Sequence, residues 1–148
     1  MDNIDLLKDA SLVVKREMPF DLVAMVVMPD HLHCVWSLLN GDADYPTRWK
    51  KIKAAFSRGL PKVEQRSASR IAKDERGIWQ RRYWEHTLRD ENDLRRHVDY
   101  IHFNPVKHGF VKNVIDWQHS TFHRYVKHGV YPEDWAGGSV ELMGDFGE

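Results

Sequence analysis

The sequence predicts an α+β domain with an antiparallel sheet. Residues 20–28 and 31–39 are rich in β-branched, aromatic and other apolar residues and flank Pro29-Asp30, which indicates two strands joined by a tight turn. Further along, Leu94, Val98 and Ile101 recur at helical spacing. Because helix and strand patterns alternate along the chain, we expect helices packed on an antiparallel sheet.

Each predicted element follows from its local pattern. Helical periodicity marks the first, fifth and last elements, and Asp90 or Asn92 is suited to cap the last helix. That helix is expected to kink or end at Asn104, because a residue before proline disfavours helical geometry. In order, the predicted elements are a helix at 4–16, a strand at 20–28, a turn at 29–30, a strand at 31–39, a helix at 47–60, a loop at 61–76, a strand at 79–88 and a helix at 90–103.

Length and composition bound the class of protein. With 148 residues, 42% of them hydrophobic, the chain is expected to form one domain over 1–136, followed by a flexible acidic tail at 137–148. The sequence has neither the roughly 20 apolar residues needed to span a bilayer nor a signal pattern at its N-terminus. We therefore expect a cytoplasmic protein without membrane contact, in which the single cysteine, Cys34, packs in the core.

The net charge of the chain is zero, but its charges are unevenly distributed and one segment is strongly basic. Residues 46–82 contain twelve Lys or Arg and three acidic residues, which gives about +9 and predicts a surface for a polyanion. Trp79, Tyr83 and Trp84 lie within or beside its last part and could stack unpaired bases. The candidate nucleic-acid contacts are Arg48, Lys50, Lys51 and Arg58 on the predicted helix, and Arg81 and Arg82 after the loop.

Two histidines are candidate metal ligands. His31 and His33 flank Leu32 in a predicted strand, so both imidazoles point to the same face of the sheet. Imidazole is the commonest metal ligand in proteins, although an isolated pair of this kind is more often an ordinary polar face. Ligand type alone would permit zinc or nickel as readily as other divalent ions.

The predicted last helix carries a candidate nucleophile. Tyr100 and Asn104 are four residues apart and therefore lie on one helical face. That face is turned about 100° from Ile101, so the tyrosine lies beside the core face rather than within it. His97 is three residues before Tyr100 on the same side and is a further candidate, to orient the phenol or to contact a phosphate.

The motifs MPDHLH (28–33), GIWQRRYWEH (77–86) and DYIHFNPVK (99–107) resemble the single-tyrosine HUH transposases. The resemblance is strongest to their bacterial branch, the REP-associated tyrosine transposases, and runs from about residue 20 to residue 135. It implies a ferredoxin-like antiparallel sheet with helices on one face. It also implies a partner, single-stranded DNA with hairpin-forming repeats, and hence a place beside the nucleoid.

The resemblance also assigns roles to residues. It implies that His31 and His33 bind Mg²⁺ or Mn²⁺, and that Tyr100 attacks a phosphodiester and becomes linked to its 5′ end. Asn104 stands where many relatives carry a glutamine that supplies the third ligand. A phenol has an ordinary pKa near 10 and is protonated at neutral pH, so the ion's main task is to polarise the phosphate.

One departure from the family concerns the sheet. Members of this branch usually begin with a strand before the helix found here at 4–16, and this chain has no counterpart of that strand. The sheet is then left with an unpaired edge, and such an edge is a template for another chain. Either the chain is a truncated copy, or another segment or a second chain fills the gap. We therefore expect a protein that dimerises, aggregates or is markedly unstable.

Two other functions stay open. The chain could be a hairpin-binding protein whose catalysis has decayed, which the absent strand favours. It could also be a metal-dependent hydrolase unrelated to DNA, against which the basic block argues. The formation of a covalent adduct between Tyr100 and an oligonucleotide separates the enzyme from the binding protein.

Overall fold

The structure is a computed structural model that describes residues 2–62, 64–73, 75–80 and 82–137. The chain divides into two compact units, Met1–Phe20 with Leu38–Tyr83, and Asp21–Ser37 with Trp84–Glu148. The predicted acidic tail lies outside the described residues except for Gly137. Within the described part of the chain, no helix is long and apolar enough to cross a membrane.

The first unit is helical. It contains α1 (Ile4–Glu17), α2 (Tyr45–Arg58) and α3 (Ala68–Ala72). The first two helices pack together closely enough that a Cβ on Gly59 would lie 2.6 Å from Leu6 Cδ1. The segment at 61–76, predicted to be a loop, contains the short helix α3. The Ser67 side chain caps this helix by accepting a hydrogen bond from the Arg70 amide.

Arg48 corrects one prediction, since its guanidinium is not available to DNA in this structure. Only 1% of the residue is exposed. The side chain donates to the carbonyl oxygens of Met18 (3.0 Å), Pro19 (3.0 Å) and Asp44 (3.1 Å), and to both carboxylate oxygens of Asp42 at 3.1 and 2.7 Å. Five donated hydrogen bonds use the whole fork of the guanidinium, so Arg48 ties the end of α1 to the start of α2.

We expect Arg48→Met to lower the free energy of unfolding by about 2–4 kcal/mol, because it leaves buried carbonyl oxygens and Asp42 without their donor. Urea denaturation of the two proteins measures the difference. Lys50→Met, at an exposed position on the same helix, is the matched control and should change stability by no more than about 0.5 kcal/mol. Equal effects of the two substitutions would contradict the structural role of Arg48.

The second unit contains the predicted hairpin. Strands β1 (Asp21–Val27) and β2 (Leu32–Ser37) pair antiparallel, with Val26 opposite His33, and the Met28 amide donates to the His31 carbonyl at 2.8 Å across the turn. The other edge of β1 is met by residues 119–121, whose main chain exchanges hydrogen bonds with it at 2.9 Å. Among the described residues β2 pairs with β1 alone, and residues 2–20 contain no strand.

Helix α4 (Glu91–Lys107) packs on this hairpin. Val98 and Ile101 join Ala24, Val26 and Met28 in one buried cluster, and Asp90 caps the helix by accepting from the Asp93 amide at 2.8 Å. Of the two predicted alternatives, a kink or an end at Asn104, the end is wrong, since the helix continues through Pro105 to Lys107. Asn104 and Pro105 are fully buried, so tertiary packing outweighs the local preference of a residue before proline.

The predicted strand at 79–88 is also wrong, because its described residues form no strand. The aromatic residues that suggested a strand make other contacts. In the first unit Trp79 lies against Phe56, with ring centres 5.4 Å apart. In the second unit Trp84 stacks on His86, with ring centres 5.7 Å apart. The α+β class and the antiparallel hairpin are confirmed.

The second unit ends in η1 (Val114–Asp116) and α5 (Phe122–Lys127). An aromatic cluster covers α4 there, and within it His102 is fully buried. Its Nε2 lies 2.8 Å from Thr121 Oγ1, which also accepts from the Met25 amide at 2.9 Å. Burial, with a smaller contribution from Arg124, lowers the pKa of His102 from 6.5 to about 3.

This lowered pKa predicts loss of stability in acid. The unfolded chain protonates His102 near pH 6.5, whereas the folded protein does so only near pH 3. The contribution of neutral His102 is complete above pH 6.5 and falls by about 1.4 kcal/mol per pH unit below it. Urea denaturation between pH 7.5 and 5 should therefore show a smaller loss in His102→Gln than in the wild type, with exposed His128→Gln as the control. Equal losses in the wild type and both variants would contradict this assignment.

Candidate active site

The hairpin turn places two imidazoles side by side. The rings of His31 and His33 lie 5.1 Å apart between centres, at 87° to each other. The Nδ1 of His31 lies 2.7 Å from Asp30 Oδ1, and this interaction lowers the pKa of the carboxyl group. A carboxylate on Nδ1 orients the ring, as it does in many metal-binding histidines, and Nε2 is then the nitrogen that would bind an ion.

Tyr100 lies next to this pair. Its ring centre is 5.8 Å from that of His33, and the residue is 2% exposed. The Lys107 ammonium donates to the phenolic oxygen at 3.0 Å and lies 4.8 Å from the ring centre. A positive charge at this position stabilises negative charge on the oxygen when the proton leaves.

The sequence analysis missed Lys107 and His108. His108 packs against His31, with ring centres 5.4 Å apart, so three imidazoles meet at the turn. Asn104, Lys107 and His108 follow Tyr100 at the spacings i+4, i+7 and i+8, which lie on one face of a helix. This signal was present in the sequence, but the expected end of the helix at Asn104 concealed it.

The residues present fit a divalent ion. Two imidazoles that bind one ion through nitrogen bonds of about 2.1 Å have ring centres about 5 Å apart, and His31 and His33 match this separation. Asn104 is fully buried one turn after Tyr100, with its amide oxygen out of contact with solvent. Two nitrogen donors and one oxygen donor would leave coordination positions open, as a catalytic ion requires.

His97 has different surroundings from those expected. Its ring stacks on His86 with centres 4.9 Å apart and on Trp84 at 6.1 Å. Its Nδ1 donates to the Asp93 carbonyl oxygen at 2.8 Å. These contacts give the side chain partners of its own, and its predicted role toward Tyr100 stays a prediction.

The basic residues of the first unit are largely exposed. Lys50, Lys51 and Arg58 lie on the solvent side of α2, and Lys51 pairs with Glu17 at 3.0 Å. Arg82 is exposed, and Arg81 lies outside the described residues. Lys53 adds a cation 4.8 Å from the ring centre of Tyr83 and 5.7 Å from that of Trp79, an arrangement of charge and flat rings suited to a single strand.

In this α+β domain a tyrosine lies beside paired imidazoles, the arrangement expected from the resemblance to tyrosine-dependent DNA strand transferases. Comparison with known proteins identifies the family. The chain is 48% identical over 134 residues to the REP-associated tyrosine transposase of Escherichia coli K12. The aligned region covers 89% of this chain and 72% of that protein. A relative from Haemophilus influenzae is 48% identical over 129 residues, which cover 86% of this chain and 73% of the relative's length. This chain belongs to the REP-associated tyrosine transposases.

A solved structure agrees with this assignment. A REP-associated tyrosine transposase bound to a REP hairpin is 45% identical to this chain and superposes with a TM-score of 0.81, covering all of this chain and 81% of that protein. No model of a protein family matches the sequence.

Proposed function

We propose that this transposase cleaves and rejoins single-stranded DNA next to hairpin-forming repeats, through a covalent bond between Tyr100 and a 5′ phosphate. The observation that carries the proposal is the arrangement of Tyr100, with the ring of His33 at 5.8 Å and the Lys107 ammonium 3.0 Å from its hydroxyl oxygen. A nucleophile held next to a positive charge and two imidazoles is suited to phosphoryl transfer.

The reaction balances without a nucleotide cofactor. The Tyr100 oxygen forms a bond to phosphorus and loses its proton, while the bond from phosphorus to the 3′ oxygen breaks and that oxygen takes up a proton. One phosphodiester replaces another, so its energy is retained in the phosphotyrosine. A later 3′ hydroxyl can attack the same phosphorus, release Tyr100 and rejoin the strand.

His31, His33 and Asn104 would hold Mg²⁺ or Mn²⁺, which when bound polarises the phosphate and stabilises charge on the departing oxygen. Asp30 orients the His31 ring for this task. His108, which packs on His31, adds a donor near the turn for a phosphate oxygen. These assignments rest on the geometry of the side chains and on their family positions.

Lys107 has a second task in the proposal. Tyr100 is 2% exposed and its hydroxyl accepts a hydrogen bond from Lys107, so a phosphate that reaches this oxygen also meets the Lys107 ammonium. Lys107 is itself exposed, and its flexible stem allows the ammonium to follow the arriving phosphate. One cation can then stabilise both the phenolic oxygen and the phosphate that it attacks.

The partner that we propose is hairpin DNA with a single-stranded flank. A relative of 45% identity is bound to a REP hairpin. The exposed cations of this chain, Lys50, Lys51, Arg58 and Arg82, would contact phosphates, while rings such as Tyr83 would stack on bases. A homodimer and a location beside the nucleoid stay predictions.

Incubation of the protein with a labelled hairpin oligonucleotide and Mn²⁺ should give an adduct that survives denaturing electrophoresis and maps to the peptide containing Tyr100. Tyr100→Phe should fold and bind the oligonucleotide but form no adduct, because it removes one oxygen and little packing. Tyr83→Phe, at an exposed tyrosine, is the matched control, because phenylalanine keeps the ring that we propose to stack on a base. An adduct in Tyr100→Phe would overturn the assignment, and no adduct in the wild type would favour a hairpin-binding protein without catalysis.

Lys107→Met should slow adduct formation by roughly 10- to 100-fold, because a donor aimed at the reacting oxygen is lost. Binding of the oligonucleotide should change by only a few fold, since a single exposed charge contributes little to a phosphate surface. Single-turnover kinetics and a binding titration separate these effects. Exposed Lys112→Met is the control, and equal rates in both variants would show that Lys107 does not act on Tyr100.

A further inference from the structure

A second cluster of metal-ligating side chains lies at the start of α4. The ligand atoms of His86, Asp93 and His97 all lie within 4.8 Å of one another. His86 Nε2 is 2.9 Å from Asp93 Oδ2, and His97 Nδ1 is 3.2 Å from Asp93 Oδ1. None of these residues belongs to the set of His31, His33 and Asn104.

The surroundings hold the three side chains in place. The Arg89 amide donates to Asp93 Oδ2 at 3.0 Å, and Asp93 and His97 are one helical turn apart. The rings of His86 and His97 stack within 12° of parallel, and Trp84 lies against both, within 13° and 15° of parallel. The carboxylate is fixed by a main-chain donor, and rotation of the two imidazole rings about their side-chain bonds brings their nitrogens to an ion beside it.

We propose that His86, Asp93 and His97 form a binding site for a transition-metal ion, with Zn²⁺ as the preferred occupant. Two imidazoles and one carboxylate are a frequent ligand set for zinc, whereas Mg²⁺ prefers oxygen donors. The ion binds one nitrogen of each imidazole in its neutral form, while the ring proton stays on the other nitrogen. Water fills the remaining position on the exposed side, next to His86.

The cluster has an access route and one competing cation. The side chain of His97 is 9% exposed and that of His86 is 27% exposed, so an ion enters past His86. The Arg89 guanidinium lies 3.8 Å from Asp93 Oδ2 but is 80% exposed. Such a surface pair is weak, and the guanidinium can move away when an ion binds.

A bound ion would link the segment before α4, which contains His86, to the first two turns of the helix. His86 lies in a stretch without helix or strand, while Asp93 and His97 lie in the first two turns of α4. His97 is one turn before Tyr100, so the ion stabilises the part of the helix that leads to the nucleophile. The site goes beyond the proposed strand transfer, because it requires neither DNA nor the catalytic ion.

Zinc titration of metal-free protein by calorimetry tests the proposal, with His31→Ala/His33→Ala as the background in which the catalytic site cannot bind. We expect this double variant to bind one equivalent of Zn²⁺ and the added His86→Gln to abolish that binding. At a hundredfold excess of Zn²⁺ over its Kd, the melting temperature of the double variant should rise by roughly 5–10 °C. Adding His128→Gln instead, at an exposed histidine, should leave both results unchanged.

A second variant guards against loss of folding. Asp93→Asn keeps an oxygen that accepts from the Arg89 amide, so circular dichroism should show an unchanged fold, while zinc affinity falls at least tenfold. X-ray absorption of the zinc-loaded double variant should show nitrogen and oxygen neighbours at about 2.0–2.2 Å. No zinc binding by the double variant, or binding that neither His86→Gln nor Asp93→Asn weakens, would show that the cluster is held by hydrogen bonds only.

Discussion

The packing of α4 on the hairpin is the interaction on which the candidate active site depends. Val98 and Ile101 bury themselves against Ala24, Val26 and Met28, and this contact fixes both the height and the rotation of the helix. His33 is the cross-strand partner of Val26, so its side chain lies on the same face of the hairpin as Val26, the face on which α4 packs. The apolar contact therefore brings Tyr100 to within 5.8 Å of an imidazole that lies about seventy residues earlier in the chain.

The continuation of α4 through Pro105 determines which residues join Tyr100. A helix that ended at Asn104 would release Lys107 and His108 into a loop, and neither would have a fixed position. A proline near the C-terminal end of a helix removes only one late hydrogen bond, and full burial of Asn104 and Pro105 offsets that loss. The last turn consequently carries an ammonium to the phenolic oxygen and an imidazole to His31.

The sequence allowed prediction of features that depend on local patterns. The hairpin, its turn, the helix of Tyr100 and the shared face of His31 and His33 follow from periods of two and 3.6 residues. Features set by distant contacts were not accessible. Arg48 was predicted to be a surface cation because its five acceptors come from separate segments of the chain. The aromatic residues of 79–88 were predicted to form a strand because an alternating pattern does not reveal stacking partners.

Different parts of helix α4 carry residues with different roles. Its inward face holds the apolar residues that pack on the sheet, its last two turns carry Tyr100, Asn104 and Lys107, and its first two turns carry Asp93 and His97. Because a helix transmits rotation and displacement along its axis, anything that stiffens the first turns also limits the freedom of the tyrosine one turn later. Phosphoryl transfer requires the nucleophile, the phosphate and the leaving oxygen to be in line. A helix held at both its start and its middle meets that requirement better than one held by the sheet alone.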